Sequence, residues 1–172
     1  FYERMEVRDA LAYLRVINQP DNDLAFERIV NKPKRGIGDA TLKLVHEQAR
    51  ARGIPLYRAA AEMAETDELK PAARRKLHGV IEDFRRWRGL VDDTEHAELA
   101  RIVLDESGYT DMWKAGKSPD APGRLENLKE LTNAMEEFAS LAEFLEHISL
   151  VMDNVEAEGS EQISIMTLHA AK

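Results

Sequence analysis

The sequence lacks several residue types and patterns, and each absence removes a class of protein. Its 172 residues include no cysteine, which excludes disulfide bridges, cysteine-ligated zinc and thiol nucleophiles. No apolar run approaches the ~20 residues that a membrane-spanning helix needs. The first residues show neither the basic nor the apolar region of a secretory signal peptide. These absences fit a cytoplasmic protein.

The two ends of the chain also lack the features of natural termini. The first residue is Phe1 rather than an initiator methionine, and residues 167–172 have no helix-ending character. We therefore expect a segment excised from a longer protein. Its length and its 44% hydrophobic content suit one ordinary domain with a buried core.

Catalytic and metal-binding patterns are scarce. There is no G-x-x-x-x-G-K-[ST] loop to bind phosphates and no acidic pair for magnesium, so we expect no nucleotide hydrolysis by this segment. The five histidines are scattered without paired ligand spacing, which predicts no metal site. Neighbouring carboxylates such as Glu136 and Glu137 are interpreted as solvated, since nothing places an acid and a base around a common point. No catalytic residue is predicted.

The net charge of −8 argues against nucleic-acid binding, but the charge is unevenly distributed. Residues 27–38 contain four Lys or Arg against one acid, and residues 70–88 contain seven against two. Residues 120–161 contain eleven acids and two cations. Each basic cluster has two interpretations, either a face that binds phosphate or an ordinary solvated helix surface.

Apolar residues recur at helical spacing along almost the whole chain, which predicts an all-α fold. The helix limits follow from proline, glycine and capping residues. The predicted limits are Pro20, Asp21 or Asp23, Lys32-Pro33, Asp39, Gly53, Pro55, Pro71, Thr94, Ser107-Gly108 and Ser118-Pro119-Asp120. The last helix carries apolar residues from Leu141 to Met152.

One segment near the C-terminus has the period of a strand instead. Ile163, Ile165 and Thr167 alternate with Ser164 and Met166. A lone strand cannot satisfy its own backbone groups, so we expect residues 163–168 to join a sheet in a neighbouring domain. The Gly/Ser/acid run at residues 156–160 is predicted to be a loop and the best hinge candidate.

The most informative motif is a short basic turn between two helices, Lys34–Gly38, called the glycine hairpin below. Its two glycines permit positive φ and a close approach of phosphate to the backbone. Ile37 is expected to point inward and join the helices. The amides of Gly38 and of the next helical turn then face outward at the positive end of the helix dipole. Lys34 and Arg35 add charge there.

The hairpin alone leaves two interpretations open, because most Gly-x-Gly turns are only structural helix ends. A phosphate-binding hairpin would bind DNA independently of sequence and with strong salt dependence. The two tryptophans are similarly ambiguous. Trp87 and Trp113 are more typical of a core, and only Trp113, near Lys114 and Lys117, is a candidate for stacking on bases.

Several separated runs, in order along the whole chain, match one known family. They are Phe1-Tyr2-Glu3-Arg4, Glu6, Asp9, Ala12-Tyr13-Leu14-Arg15, Pro20-Asp21-Asn22-Asp23, Arg28-Ile29-Val30-Asn31, Pro33-Lys34-Arg35-Gly36-Ile37-Gly38, Ser107-Gly108-Tyr109, Arg124-Leu125-Glu126-Asn127-Leu128 and Met166-Thr167-Leu168-His169-Ala170-Ala171-Lys172. With these runs the chain resembles the UvrD/PcrA/Rep family of superfamily-one DNA helicases. The last run is similar to the start of helicase motif V, without its expected Gly-Leu-Glu.

The resemblance implies a domain organisation and site residues. Residues 1–160 would be the helical accessory subdomain called 2B, with a helix-hairpin-helix-like element. The first few residues and 161–172 would be edges of the second RecA-like motor domain. The residues implied to contact duplex DNA are Lys34, Arg35, Gly36, Ile37, Gly38 and Thr41. Those implied to belong to motif V, which contacts single-stranded DNA in the intact enzyme, are Thr167, His169 and Lys172. Arg124, Glu126 and Asn127 are expected to form a structural polar network.

The resemblance also implies a function. The segment would be a duplex-contacting and regulatory subdomain of an ATP-dependent 3'-5' DNA helicase in DNA repair or replication. ATP and magnesium would belong to the parent enzyme, and the segment would need no cofactor. Expected partners are duplex or forked DNA, the remaining helicase subdomains and DNA-repair proteins, in the bacterial cytoplasm near the nucleoid. The alternative is a protein-interaction or autoinhibitory module with little intrinsic DNA binding.

Overall fold

The fold is all-helical, as predicted. The computed structural model describes the backbone of residues 1–170 and the side chains of residues 1–155, and within that range every regular element is a helix. The helices are α1 Met5–Asn18, α2 Asp23–Ile29, α3 Asp39–Arg52, α4 Leu56–Met63, α5 Pro71–Gly89, α6 His96–Glu106, α7 Tyr109–Ala115, α8 Ala121–Met135 and α9 Leu141–Ala170. None of these helices combines the length and the apolar character needed to cross a bilayer.

The first helix, α1, lies at the centre of the fold. It is buried on nearly all sides, and it contacts α2, α5, α6, α8 and α9. Tyr13 on α1 stacks on Phe84 of α5 with ring centroids 5.8 Å apart, and Trp87 packs edge-on against Phe84 at 5.1 Å. Such aromatic pairs contribute beyond the area that they bury. The aromatic cluster therefore fixes α5, which carries the second basic cluster, against the centre of the fold.

Two carboxylates are buried on α1, and each has partners from other helices. Asp9 accepts hydrogen bonds from Nε of Arg28 at 2.8 Å and from the Tyr109 hydroxyl at 2.6 Å. The ammonium of Lys32 lies 3.1 Å from its second oxygen. A buried charge is tolerated only when it is paired in this way. Asp9 therefore ties α1 to α2, to the segment after it, and to α7.

The second buried carboxylate, Glu6, ties α1 to α8. It accepts a hydrogen bond of 2.7 Å from the Asn127 amide and one of 3.4 Å from Arg124. The structural network predicted for Arg124 and Asn127 is thereby confirmed. Glu126, the third residue of that prediction, is exposed.

Several helix limits follow the sequence, but some capping residues differ from the prediction. Gly53 ends α3 in the left-handed conformation, as expected. The α2 cap is Asn22, between the predicted Asp21 and Asp23, and its side chain accepts from the Ala25 amide at 3.1 Å. Adjacent polar residues are equivalent in the sequence, and only the one whose side chain reaches a free amide becomes the cap.

The same one-residue shift occurs at two further helices, and one helix was not predicted at all. Glu95 rather than Thr94 caps α6. Gly38 rather than Asp39 precedes α3, so Asp39 is its first helical residue. The short helix α7 follows Gly108 directly and has too few apolar positions to show a period.

The predicted loop at residues 156–160 is wrong for this chain, and residues 163–168, predicted to be a strand, are helical in this structure. Both segments continue α9, whose helical backbone runs to Ala170. A helix satisfies its backbone groups within itself, whereas a strand needs a sheet, and the described part of the chain contains none. That this segment pairs with a sheet in a neighbouring domain stays a prediction.

Candidate nucleic-acid interface

The glycine hairpin connects α2 to α3 and contains one left-handed residue. Gly36 has φ +76°, a conformation that favours glycine. Gly38 is extended, with φ −82° and ψ 178°, and precedes the first turn of α3. The expectation of positive φ therefore holds for the first glycine only. At Gly38 the space where a Cβ would project is open.

The hairpin is held from below by an apolar side chain and an amide. Ile37 is 1% exposed and belongs to the core, so the predicted inward direction is confirmed. The carboxamide oxygen of Asn31 accepts from the backbone amides of Arg35 at 2.7 Å and Ile37 at 3.3 Å. This role of Asn31 is not predicted from the sequence. The feature that could have indicated this role is that asparagine side chains readily form hydrogen bonds with nearby backbone amides.

Arg35 points into the fold rather than towards solvent. Its guanidinium donates to the carbonyl oxygens of Ile29 at 3.0 Å and Val30 at 3.2 Å, which lie at the end of α2. It also donates to the Ser107 carbonyl at 3.2 Å and to the Tyr13 hydroxyl. Cations favour the C-terminal end of a helix because its free carbonyl oxygens carry partial negative charge. The charge of Arg35 therefore orders the hairpin and is directed away from its outer surface.

The turn between α6 and α7 supports the hairpin from another side. Besides the contact of Ser107 with Arg35, a Cβ on Gly108 would lie 3.5 Å from the ring of Pro33. Tyr109 follows and donates to Asp9. Burial, and then this hydrogen bond, raise the pKa of Tyr109. The Ser107-Gly108-Tyr109 run thus has a structural use, which is to hold the hairpin and the Asp9 network.

The outer surface of the hairpin combines one cation with free backbone amides. Lys34 is exposed and has no ionic partner among the side chains that the structure describes. Among the described residues no side chain caps α3, so the first backbone amides of this helix have no side-chain partner. Thr41 lies half-buried in this first turn. Asp39 is exposed there too, and its negative charge opposes an anion. The arrangement suits a backbone phosphate that approaches Gly38.

Comparison with known proteins identifies the family. A profile described as UvrD-like helicase C-terminal domain matches residues 1–172. The chain is 42% identical to a probable DNA helicase II homolog of Rickettsia felis, covering all of this chain and 27% of that protein. It is 34% identical to the ATP-dependent DNA helicase PcrA of Bacillus subtilis and 35% to UvrD1 of Mycobacterium tuberculosis, covering all of this chain and 25% of each.

The chain belongs to the UvrD-like helicase C-terminal domain family. It spans about a quarter of the length of these curated relatives. The UvrD-like domain therefore corresponds to one part of each of these longer relatives.

In the basic cluster of the UvrD-like domain at residues 70–88, three of the seven cations are ion-paired within the described structure. Arg74 pairs with Asp67 at 2.5 Å, and Arg85 pairs with Glu82 at 2.5 Å. Arg86 pairs with Glu106 at 2.8 Å. For these three arginines the structure fits the interpretation as an ordinary solvated helix surface.

The two tryptophans of the UvrD-like domain are both engaged within the fold. Trp87 is buried in the core, and its indole N–H donates to Glu106 at 2.9 Å. Trp113 is half-buried, and the guanidinium of Arg124 lies 4.6 Å from its ring centroid. Arg124 therefore covers the ring that a base would need for stacking.

The structure also groups three possible metal ligands, and part of the predicted motif V lies outside the described residues. Glu65, His78 and Glu82 have ligand atoms within 4.8 Å of one another, a grouping that sequence analysis missed because Glu65 lies outside α5. All three are exposed and Glu82 is shared with Arg85, which is typical of a solvated charge cluster. The side chains of Thr167 and His169, and all of Lys172, lie outside the described residues.

Proposed function

We propose that this UvrD-like domain is the duplex-contacting, 2B-like accessory subdomain of an ATP-dependent 3'-5' DNA helicase that acts in DNA repair or replication. The observation that carries the proposal is the outer surface of the glycine hairpin. There the start of α3, an open Gly38 and Lys34, the last without an ionic partner and the helix start without a side-chain cap in the described structure, converge on a turn held by Asn31 and Ile37.

Such a surface binds the DNA backbone rather than bases. Backbone amides at a helix start and a lysine ammonium both match phosphate oxygens, and neither distinguishes one base pair from another. The inward contacts of Arg35 and Ile37 fix the turn before DNA arrives, so little ordering is required on binding. The domain would therefore position duplex DNA independently of sequence.

The chemistry of unwinding would lie elsewhere in the parent protein. ATP and magnesium would bind to the motor domains, because this chain has no phosphate-binding loop of the required pattern. In this proposal residues 1–160 form the accessory subdomain, and 161–172 lead into the second RecA-like domain with Thr167, His169 and Lys172 in motif V. Partners would be forked DNA, the other helicase subdomains and DNA-repair proteins in the bacterial cytoplasm.

The test is a titration of a labelled forked duplex with this chain at two salt concentrations, measured by fluorescence anisotropy. We expect salt-sensitive binding that Gly38→Leu weakens roughly tenfold, because the added side chain blocks the approach to the amides. The matched control is Gly89→Leu, at a second glycine with open surroundings, at the far end of α5. Equal affinities for the two variants would contradict the hairpin as the contact.

A second candidate function is a protein-interaction or autoinhibitory module, favoured by exposed apolar side chains. Leu24 on α2 is 82% exposed and Leu150 on α9 is 59% exposed. Leu24 lines a groove between α1, α2 and α9 together with Tyr2 and Met152. If the chain does not bind duplex even at low salt, this second function replaces the first.

A further inference from the structure

A lysine from a distant helix lies on the glycine hairpin. A Cβ built on Gly36 would come within 2.7 Å of Nζ of Lys76 and within 3.1 Å of its Cδ and Cε. Lys76 is on α5, in the second basic cluster, and is exposed to solvent. The two basic clusters, which the sequence presents separately, therefore meet at Gly36.

Lys76 differs from three of the five arginines of α5 in its partners, whereas Arg75 and Arg88, like Lys76, have no ion pair among the described residues. Arg74, Arg85 and Arg86 are paired with carboxylates. Lys76 makes neither a hydrogen bond nor an ion pair with the side chains and backbone that the structure describes, and the same holds for the Lys34 ammonium. Two ammonium groups without a partner in the described structure are thus associated with the glycine hairpin, that of Lys34 within it and that of Lys76 beside Gly36.

We propose that Lys76 is a phosphate-binding residue of the same duplex site, so that the site is built from α5 as well as from the hairpin. This inference rests on the proposed function. A lysine suits the role because its ammonium is a point charge on a flexible stem and can follow a phosphate. Each phosphate that a cation neutralises also releases counterions, which makes the contribution of Lys76 measurable through salt dependence.

Gly36 is constrained by its backbone conformation, whereas the end of the Lys76 side chain beside it is flexible. The positive φ of Gly36 favours glycine, so a substitution there would strain the turn, and it would also shift Lys76. Substitutions at Lys76 separate the two effects because they leave the turn unchanged.

The experiment compares Lys76→Met with Lys129→Met in this chain, using the forked duplex over a series of salt concentrations. Methionine keeps an apolar stem and removes the charge. Lys129 on α8 is a matched control, since it is exposed and has no ion pair among the described residues. We expect Lys76→Met to raise Kd roughly three- to tenfold at low salt and to reduce the slope of log Kd against log salt by about 0.9, and Lys129→Met to change neither.

A labelling experiment on the unmodified chain provides an independent readout. Bound duplex should protect Lys34 and Lys76 from an amine-reactive reagent and leave Lys129 fully reactive. If the chain binds duplex while Lys76 stays unprotected and Lys76→Met matches Lys129→Met, this inference is overturned and the proposed function stands. If the chain does not bind duplex at low salt, the proposed function fails and this inference fails with it.

Discussion

The glycine hairpin and the polar network of α1 both contain charged and polar groups, but these groups are buried and paired in the network and exposed at the hairpin. In the network, Glu6 and Asp9 are buried and their oxygens are occupied by cations, an amide and a hydroxyl. At the hairpin surface, Lys34 and the first amides of α3 are exposed and unoccupied in the described structure. Both regions lie within the runs that resemble the helicase family. A matching motif therefore does not distinguish a residue that maintains the fold from one that binds a ligand.

Arg35 shows how adjacent residues divide between these two roles. It follows Lys34 in the sequence and has the same charge, yet its guanidinium is directed to the carbonyls of Ile29, Val30 and Ser107. Its planar group can bond several acceptors at once, which an ammonium on a flexible stem does less well.

The largest effect on folding is expected from Asp9→Ala. The substitution leaves Arg28, Lys32 and the Tyr109 hydroxyl without their buried partner, and we expect it to lower the free energy of unfolding by about 3 kcal/mol. Urea unfolding followed by circular dichroism measures it. The control, Asp92→Ala at an exposed position, should change stability by less than about 0.5 kcal/mol. Comparable effects at the two positions would remove the distinction on which the comparison rests.

The next effect compares the neighbours Arg35 and Lys34. Arg35→Ala leaves the carbonyls at the end of α2 without a donor and should cost about 2 kcal/mol of stability. Lys34→Ala should change stability by less than about 0.5 kcal/mol and weaken duplex binding severalfold. Unfolding and anisotropy titrations on both variants measure this. A stable Arg35→Ala variant that loses only DNA affinity would place Arg35 on the binding surface instead.

Much of the division between residues that maintain the fold and residues on the hairpin surface is predictable from the sequence. The predictions that failed did so for physical reasons. Local pattern was sufficient for the all-α fold, the inward Ile37 and the end of α3 at Gly53. It was insufficient for Arg35, because the partners Tyr13 and Ser107 come from distant parts of the chain. The same reason hides the contact of Lys76 with Gly36.

Two other differences from the prediction concern the ends of helices. The alternation at residues 163–168 indicates a strand, whereas the segment is helical in the described part of the chain, which contains no sheet for it to join. The caps at Asn22 and Glu95 each lie one residue from a predicted cap, since neighbouring polar residues have similar capping ability. Errors of this kind move the end of a helix without moving the site.

The smallest expected effect on folding is the sharpest test of the comparison, because fold and binding should respond in opposite directions. Gly38 has the extended geometry of a helix cap but no side chain to bond the free amides of α3. Gly38→Asp supplies that acceptor and places negative charge at the positive end of the helix, so stability should rise by about 0.5 kcal/mol. The same carboxylate occupies the amides and repels phosphate, so duplex affinity should fall at least roughly tenfold.

Gly38→Ser separates occupation of the amides from charge. Serine caps the helix about as well as aspartate but is neutral, so it should stabilise the domain similarly and weaken duplex binding less. Asp39→Asn at the next position removes an existing negative charge from the same surface and should strengthen binding. If Gly38→Asp leaves duplex affinity unchanged, the start of α3 is only a helix end, and the hairpin belongs with the α1 network as part of the fold.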